Sequence, residues 1–142
     1  MKQSGFTLLE VLVAILVLSI GLLGLAGLMA SNIRSTHGAY QRTQAVWLAY
    51  DMIDRMRVNR VNAISSANNY NIAIGTATSG SPGLAGADVN SWKTTLASTL
   101  PAGDGSVNVN SASRVAIVII QWNDPGDKSG TTTQRIQVDT QL

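Results

Sequence analysis

The chain has 142 residues and a hydrophobic fraction of 45%, and its 10 basic and 8 acidic residues make up only 13% of it, about half the share of an ordinary soluble domain. That profile argues against a soluble cytoplasmic enzyme, and a net charge of +2 is too weak for a polyanion-binding surface. The lack of cysteine excludes a disulfide framework, a thiolate metal site and a cysteine nucleophile.

Val11 to Ile33 is a charge-free run of 23 residues. As a helix it spans about 35 Å, against a hydrocarbon core of about 30 Å, and so predicts a membrane-spanning helix. Lys2 and the initiating amine lie on its short side, which places the N-terminus in the cytoplasm and the rest outside. A cleaved secretory signal fits less well: its cut would follow Ala30, with Leu28 where a small residue is wanted. Glu10, the only glutamate in the chain, is anomalous for a plain anchor. A carboxylate at the edge of hydrocarbon is costly unless it finds a partner. Cleavage after Gly5 would create such a partner, a new amine on Phe6.

Lys2-Gln3-Ser4-Gly5-Phe6-Thr7-Leu8-Leu9-Glu10, followed by Val11-Leu12-Val13-Ala14, resembles the class III signal of type IV pilins and pseudopilins. The resemblance implies that a prepilin peptidase cuts after Gly5, removing the leader 1–5, and that Phe6 becomes N-methylated. It implies that Glu10 meets the N-terminal amine of a neighbouring subunit during assembly. The partners it implies are other minor and major pilins, the prepilin peptidase, the inner-membrane assembly machinery and the lipid bilayer. The implied location is the inner membrane, single-pass with the head in the periplasm, and then the pilus fibre or tip. Within the membrane helix, 6–33, Gly21, Gly24 and Gly27 recur every three residues. They read equally as a smooth face for helix packing and as a flexible segment.

The helical pattern continues over 34–62, loosened near Gly38. Ala45, Ala49, Met52, Ile53 and Met56 share one face, and Asp51/Arg55 and Asp54/Arg57 are spaced for helical ion pairs. The stretch from Ala45 to Arg60 resembles the PilV-type minor pilins. Its polar residues suit structure and subunit contact better than ligand binding.

The remaining 63–142 form a globular head. Of the 27 residues from Val61 to Ala87, 21 are Asn, Ser, Ala, Gly, Thr or Pro. They predict a long surface connection with one short strand or turn at Tyr70 to Ile74. A short helix over 89–100 follows, with Asp88 as its N-cap, Val89, Trp92, Leu96 and Leu100 on one face, and Pro101 as its stop. This pattern, too, resembles PilV-type heads. Val107 and Val109 alternate with polar residues. Arg114 to Trp122 is apolar on both faces and predicts a central strand, and Ile136 to Leu142 alternates again. The loop Asn123 to Gly130 predicts a hairpin. The fold class is therefore α+β, pilin-like: a long N-terminal helix, its first half transmembrane, packed on a small antiparallel β-sheet head.

No phosphate loop or dinucleotide fingerprint occurs. His37, the one histidine, is far in sequence from any acid and reads as exposed, so zinc and triad sites are not expected. Asp124 and Asp127 are too few for a calcium site, and a polar turn is the better reading. Trp47, Trp92 and Trp122 suit packing. From Val61 onward four bases face five acids, which disfavours nucleic acid. No metal, cofactor or catalytic residue is expected. The leading function is a minor pilin that primes or caps a type IV pilus, serving adhesion and twitching motility. The alternatives are a type II secretion minor pseudopilin of the I class and a surface ligand-binding pilin for DNA uptake or adhesion.

Overall fold

The computed structural model describes residues 5–124 and 132–142. Helix α1 runs over Leu8–Val58, α2 over Arg60–Ala63 and α3 over Gly83–Thr99. Strands β1, β2 and β3 cover Asp104–Asn110, Val115–Asn123 and Thr133–Gln141. The chain divides into two compact units, 1–37 and 38–142.

The first unit is the N-terminal part of α1. It is apolar all round, and its large side chains, from Phe6 to Ile33, are exposed. An all-apolar helix surface left exposed calls for a nonaqueous surrounding. This helix is the one among the described residues that is long and apolar enough to cross a membrane.

The second unit is the head. Its sheet has the order β1-β2-β3, antiparallel throughout. β2 is the central strand, as its two apolar faces predict. Its inner residues Ala116, Val118, Ile120 and Trp122 are buried. The outer part of α1 contributes Ala45, Ala49, Met52, Ile53 and Met56, all fully buried, to the same core. α3 adds Val89, Trp92 and Leu96. Helices thus cover one face of the sheet, an α+β arrangement. The Trp92 indole donates from Nε1 to the Leu48 carbonyl at 2.8 Å, tying α3 to α1. Gly105 makes room for this: a Cβ there would lie 2.5 Å from Trp92 Cη2 and 2.8 Å from the Ile119 carbonyl.

Four expectations need correction. The helix expected over 89–100 begins at Gly83, and Asp88 lies inside it rather than capping it. Its carboxylate is engaged elsewhere: it accepts from the Tyr70 hydroxyl and pairs with Arg55. The connection from Val61 to Ala87 is not purely surface, because Ala63, Tyr70, Ile72 and Ala85 are buried. Ile72 pairs with Val107 as an isolated bridge, inside the expected Tyr70–Ile74 segment. The long helix does not reach 62 unbroken. It stops at Val58, and Asn59 (φ −104°, ψ 41°) separates it from α2. Near Gly38 the helix is continuous, and a Cβ there would sit 2.8 Å from Asp124 Oδ2. The hairpin tip at 125–131, with Asp127, lies outside the described residues.

Candidate functional site

The expected processing and assembly residues cluster at the start of α1. Gly5 and Phe6 are exposed, Phe6 at 86%. Thr7 precedes the first helical residue, and its Oγ1 accepts from the Glu10 backbone N–H at 3.3 Å. Thr7 and Glu10 are spaced as a capping box, three residues apart. An acid in the first turn also complements the positive end of the helix dipole. The Thr-x-x-Glu spacing signals this second role of Glu10, beside the assembly role that the resemblance implies. Glu10 itself is exposed. A Cβ at Gly21, Gly24 or Gly27 would meet nothing within 4 Å, so that face is open within the chain.

The polar residues of the Ala45–Arg60 stretch divide into two sets. The first ties α1 to α3 and the connection. Arg55 Nε pairs with Asp51 Oδ2 at 3.0 Å, and its Nη1 reaches Asp88 Oδ1 at 3.5 Å. The Tyr70 hydroxyl donates to Asp88 Oδ2 at 2.7 Å and accepts from Asn59 Nδ2 at 3.0 Å. Burial, together with the hydrogen bond to Asp88, pushes the Tyr70 phenol up to about 12. The phenol is thereby fixed as a neutral donor. The second set faces β3. Arg57 Nη2 donates to Thr140 Oγ1 at 3.2 Å and Arg60 Nη2 to the Leu142 carbonyl at 2.8 Å, and Arg42, just before the stretch, donates from Nη2 to Gln134 Oε1 at 3.4 Å. Motif residues that could be mistaken for a basic binding face are spent on internal contacts.

Lys93, one of the four bases of the head, is buried rather than at the surface. It is 6% exposed and holds Asp104 Oδ1 and the Ala73 carbonyl, the latter at 3.1 Å. Asp104 also accepts from the Gly75 and Gly105 N–H groups, at 2.6 and 2.7 Å. Burial alone would raise the Asp104 carboxyl, but the bonds from Lys93, Gly75 and Gly105 hold it below its usual range. The signal was available: Lys93 falls on the same helical stripe as Val89, Trp92 and Leu96, where an unpaired charge is not tolerated. This cluster fastens the connection to α3 and β1.

Among the described residues no group of three or more His, Asp or Glu is placed to hold a metal ion. His37 is exposed. Trp92 and Trp122 are buried, while Trp47 is 64% exposed and does not pack as expected.

Two family models match the chain in succession. The prokaryotic N-terminal methylation motif covers residues 1–26, and type IV pilin Tt1218 covers residues 27–82. No curated protein and no solved structure matches the chain. The two matches run without a gap through the apolar helix, its continuation and the connection, and they stop before the sheet. They show that the chain carries the N-terminal methylation motif of a class III signal peptide and, over 27–82, a type IV pilin domain, and the long helix and small antiparallel sheet are consistent with an α+β pilin fold.

Proposed function

We propose that this protein is a minor pilin of the PilV type, which joins other minor pilins and the major pilin to prime or cap a type IV pilus. The observation that carries the reading is the N-terminal methylation motif leading into a helix whose entire first part is apolar and exposed. Pilins act structurally rather than catalytically, and the mechanism is assembly. The prepilin peptidase removes 1–5 after Gly5 and methylates Phe6. The helix then stays in the inner membrane with the head in the periplasm. Glu10 pairs with the amine of a neighbouring subunit, and Gly21, Gly24 and Gly27 let adjacent helices approach closely. The assembled fibre serves adhesion and twitching motility.

The test is mass spectrometry of the N-terminus of membrane-extracted protein. The expected start is methylated Phe6, and a start at Met1 or Ser31 would reject the processing step. Surface pili are then counted in a Glu10→Ala strain. Normal numbers, with the variant fully recruited, would sink the pairing role. Purification with secretion components and without pilus proteins would replace the pilus by a secretion pseudopilus.

A further inference from the structure

The two edges of the sheet are finished differently. The backbone N–H groups that β1 turns outward all have acceptors. Gly105 donates to Asp104 Oδ1 at 2.7 Å, Val107 to the Ile72 carbonyl at 3.0 Å, and Val109 to Asn71 Oδ1 at 2.8 Å. The inward side chains of Val107 and Val109 are buried.

β3 is the opposite edge. Asp124 N donates to the Thr132 carbonyl and Leu142 N to the Arg114 carbonyl, which sets the phase of the ladder. Even-numbered residues of β3 bond β2, and Thr133, Arg135, Gln137, Asp139 and Gln141 turn their backbone groups outward. Among the described residues no strand pairs with them. Of the usual protections it carries charge, as Arg135 and Asp139, but these two are of opposite sign and leave the edge neutral. The strand is nine residues long, has no Pro, Gly or Lys, and pairs one-to-one with β2 without a bulge. On its inner side Ile136 and Val138 pack on the core yet remain only partly buried.

We propose that the outer edge of β3 docks an extended segment of a partner protein, added as a fourth, antiparallel strand. Its chemistry follows from the positions opposite. A basic residue faces Asp139 and an acidic one faces Arg135, on the exposed side. Apolar residues face Val138 and Ile136 and complete their burial. Among the described residues Arg135 donates to Gln121 Oε1 at 3.1 Å, and Asp139 accepts from Gln137 Nε2 at 2.9 Å. Both partners are neutral.

β3 meets the same requirements, since Arg135-Ile136-Gln137-Val138-Asp139 reads basic, apolar, polar, apolar, acidic. A second whole copy is nevertheless disfavoured. Arg42 meets β3 at Gln134 and Arg57 meets it at Thr140, so residue 38 enters the head at the Thr133 end of β3. Antiparallel pairing of two β3 strands puts the two entry points at opposite ends. Two chains anchored in one membrane, as the pilin reading has them, need both at the same end.

The test uses the full chain in detergent micelles and a fluorescent peptide of residues 133–141, read by anisotropy. Saturable binding is expected. A peptide with its Arg and Asp exchanged should bind about tenfold or more weakly, and a chain carrying Arg135→Asp and Asp139→Arg should reverse that preference. Gln137→Pro removes an outward N–H and leaves the β2 ladder intact. It should weaken binding by a similar factor with the circular dichroism unchanged. No binding, or equal binding of both peptides, overturns the proposal. A concentration-dependent dimer of the chain that Gln137→Pro abolishes would give the edge to a second copy and overturn the partner assignment.

Discussion

One helix, α1, lives by two different rules. Up to Ile33 its large side chains are all exposed, and its glycines face open space. From Gln41 onward it buries one face, with Ala45, Ala49, Met52, Ile53 and Met56 at full burial and Trp47 and Tyr50 on the outside. The backbone geometry is the same, so the difference lies in where the apolar side chains find a partner. A helix that is apolar all round must be covered by something outside the chain, whether lipid or neighbouring helices. A helix with one apolar stripe is covered by its own head. Substitutions in the two parts should therefore report through different measurements.

The largest effect is expected in the head. Trp92→Ala opens a cavity beneath α1 and removes the bond to Leu48. It should lower head stability by about 3–5 kcal/mol, measured by denaturant unfolding in detergent, and leave membrane insertion unchanged. Leu16→Arg is its mirror image. It should cost about 2.5–3.5 kcal/mol in a membrane-insertion assay and leave head unfolding unchanged. A change in both measurements for either variant would break the division.

Tyr70 gives a smaller effect on the head side only. Its phenol holds its proton to about 12 when folded, against 10.0 ordinarily. The folded state is favoured by the neutral form, so this contribution is complete below pH 10 and fades as pH rises through 12. The loss amounts to about 2–3 kcal/mol, seen as an alkaline limb in stability against pH. Tyr70→Phe should flatten that limb. The smallest effect belongs to the membrane part. Thr7→Ala removes the side-chain acceptor of the Glu10 N–H, leaving the Thr7 carbonyl, and should weaken the first turn by about 1 kcal/mol, read as faster amide exchange at Glu10 and Val11 in micelles.

Much of this was legible because the relevant patterns are local. The apolar run, the Ala/Met/Ile stripe and the two-sided apolar β2 each show in a short window. The start of α3 did not. The Ser81-Pro82-Gly83-Leu84-Ala85-Gly86 stretch reads as loop by composition, yet Gly86 is there because a Cβ would collide with the Ser81 carbonyl. Close approach and flexibility use the same residue, and only tertiary context separates them. Asp88 misled for a similar reason: its partners, Arg55 and Tyr70, are 33 and 18 residues away in sequence. At the N-terminus the motif residues were legible, but the sequence reading did not register that Thr7 and Glu10 also start the helix.

Arg42 and Arg57, the two arginines that join α1 to β3, have a mechanical consequence. From Arg42 to Arg57 the helix rises about 22 Å, and from Gln134 to Thr140 the strand rises about 20 Å, so helix and strand run side by side in the same sense. An axial pull on α1 therefore loads the links at Gln134 and Thr140 together, in shear, instead of peeling one after the other. A subunit hauled by its helix would carry its head along as a single cargo, with the tension shared over nearly the whole length of β3.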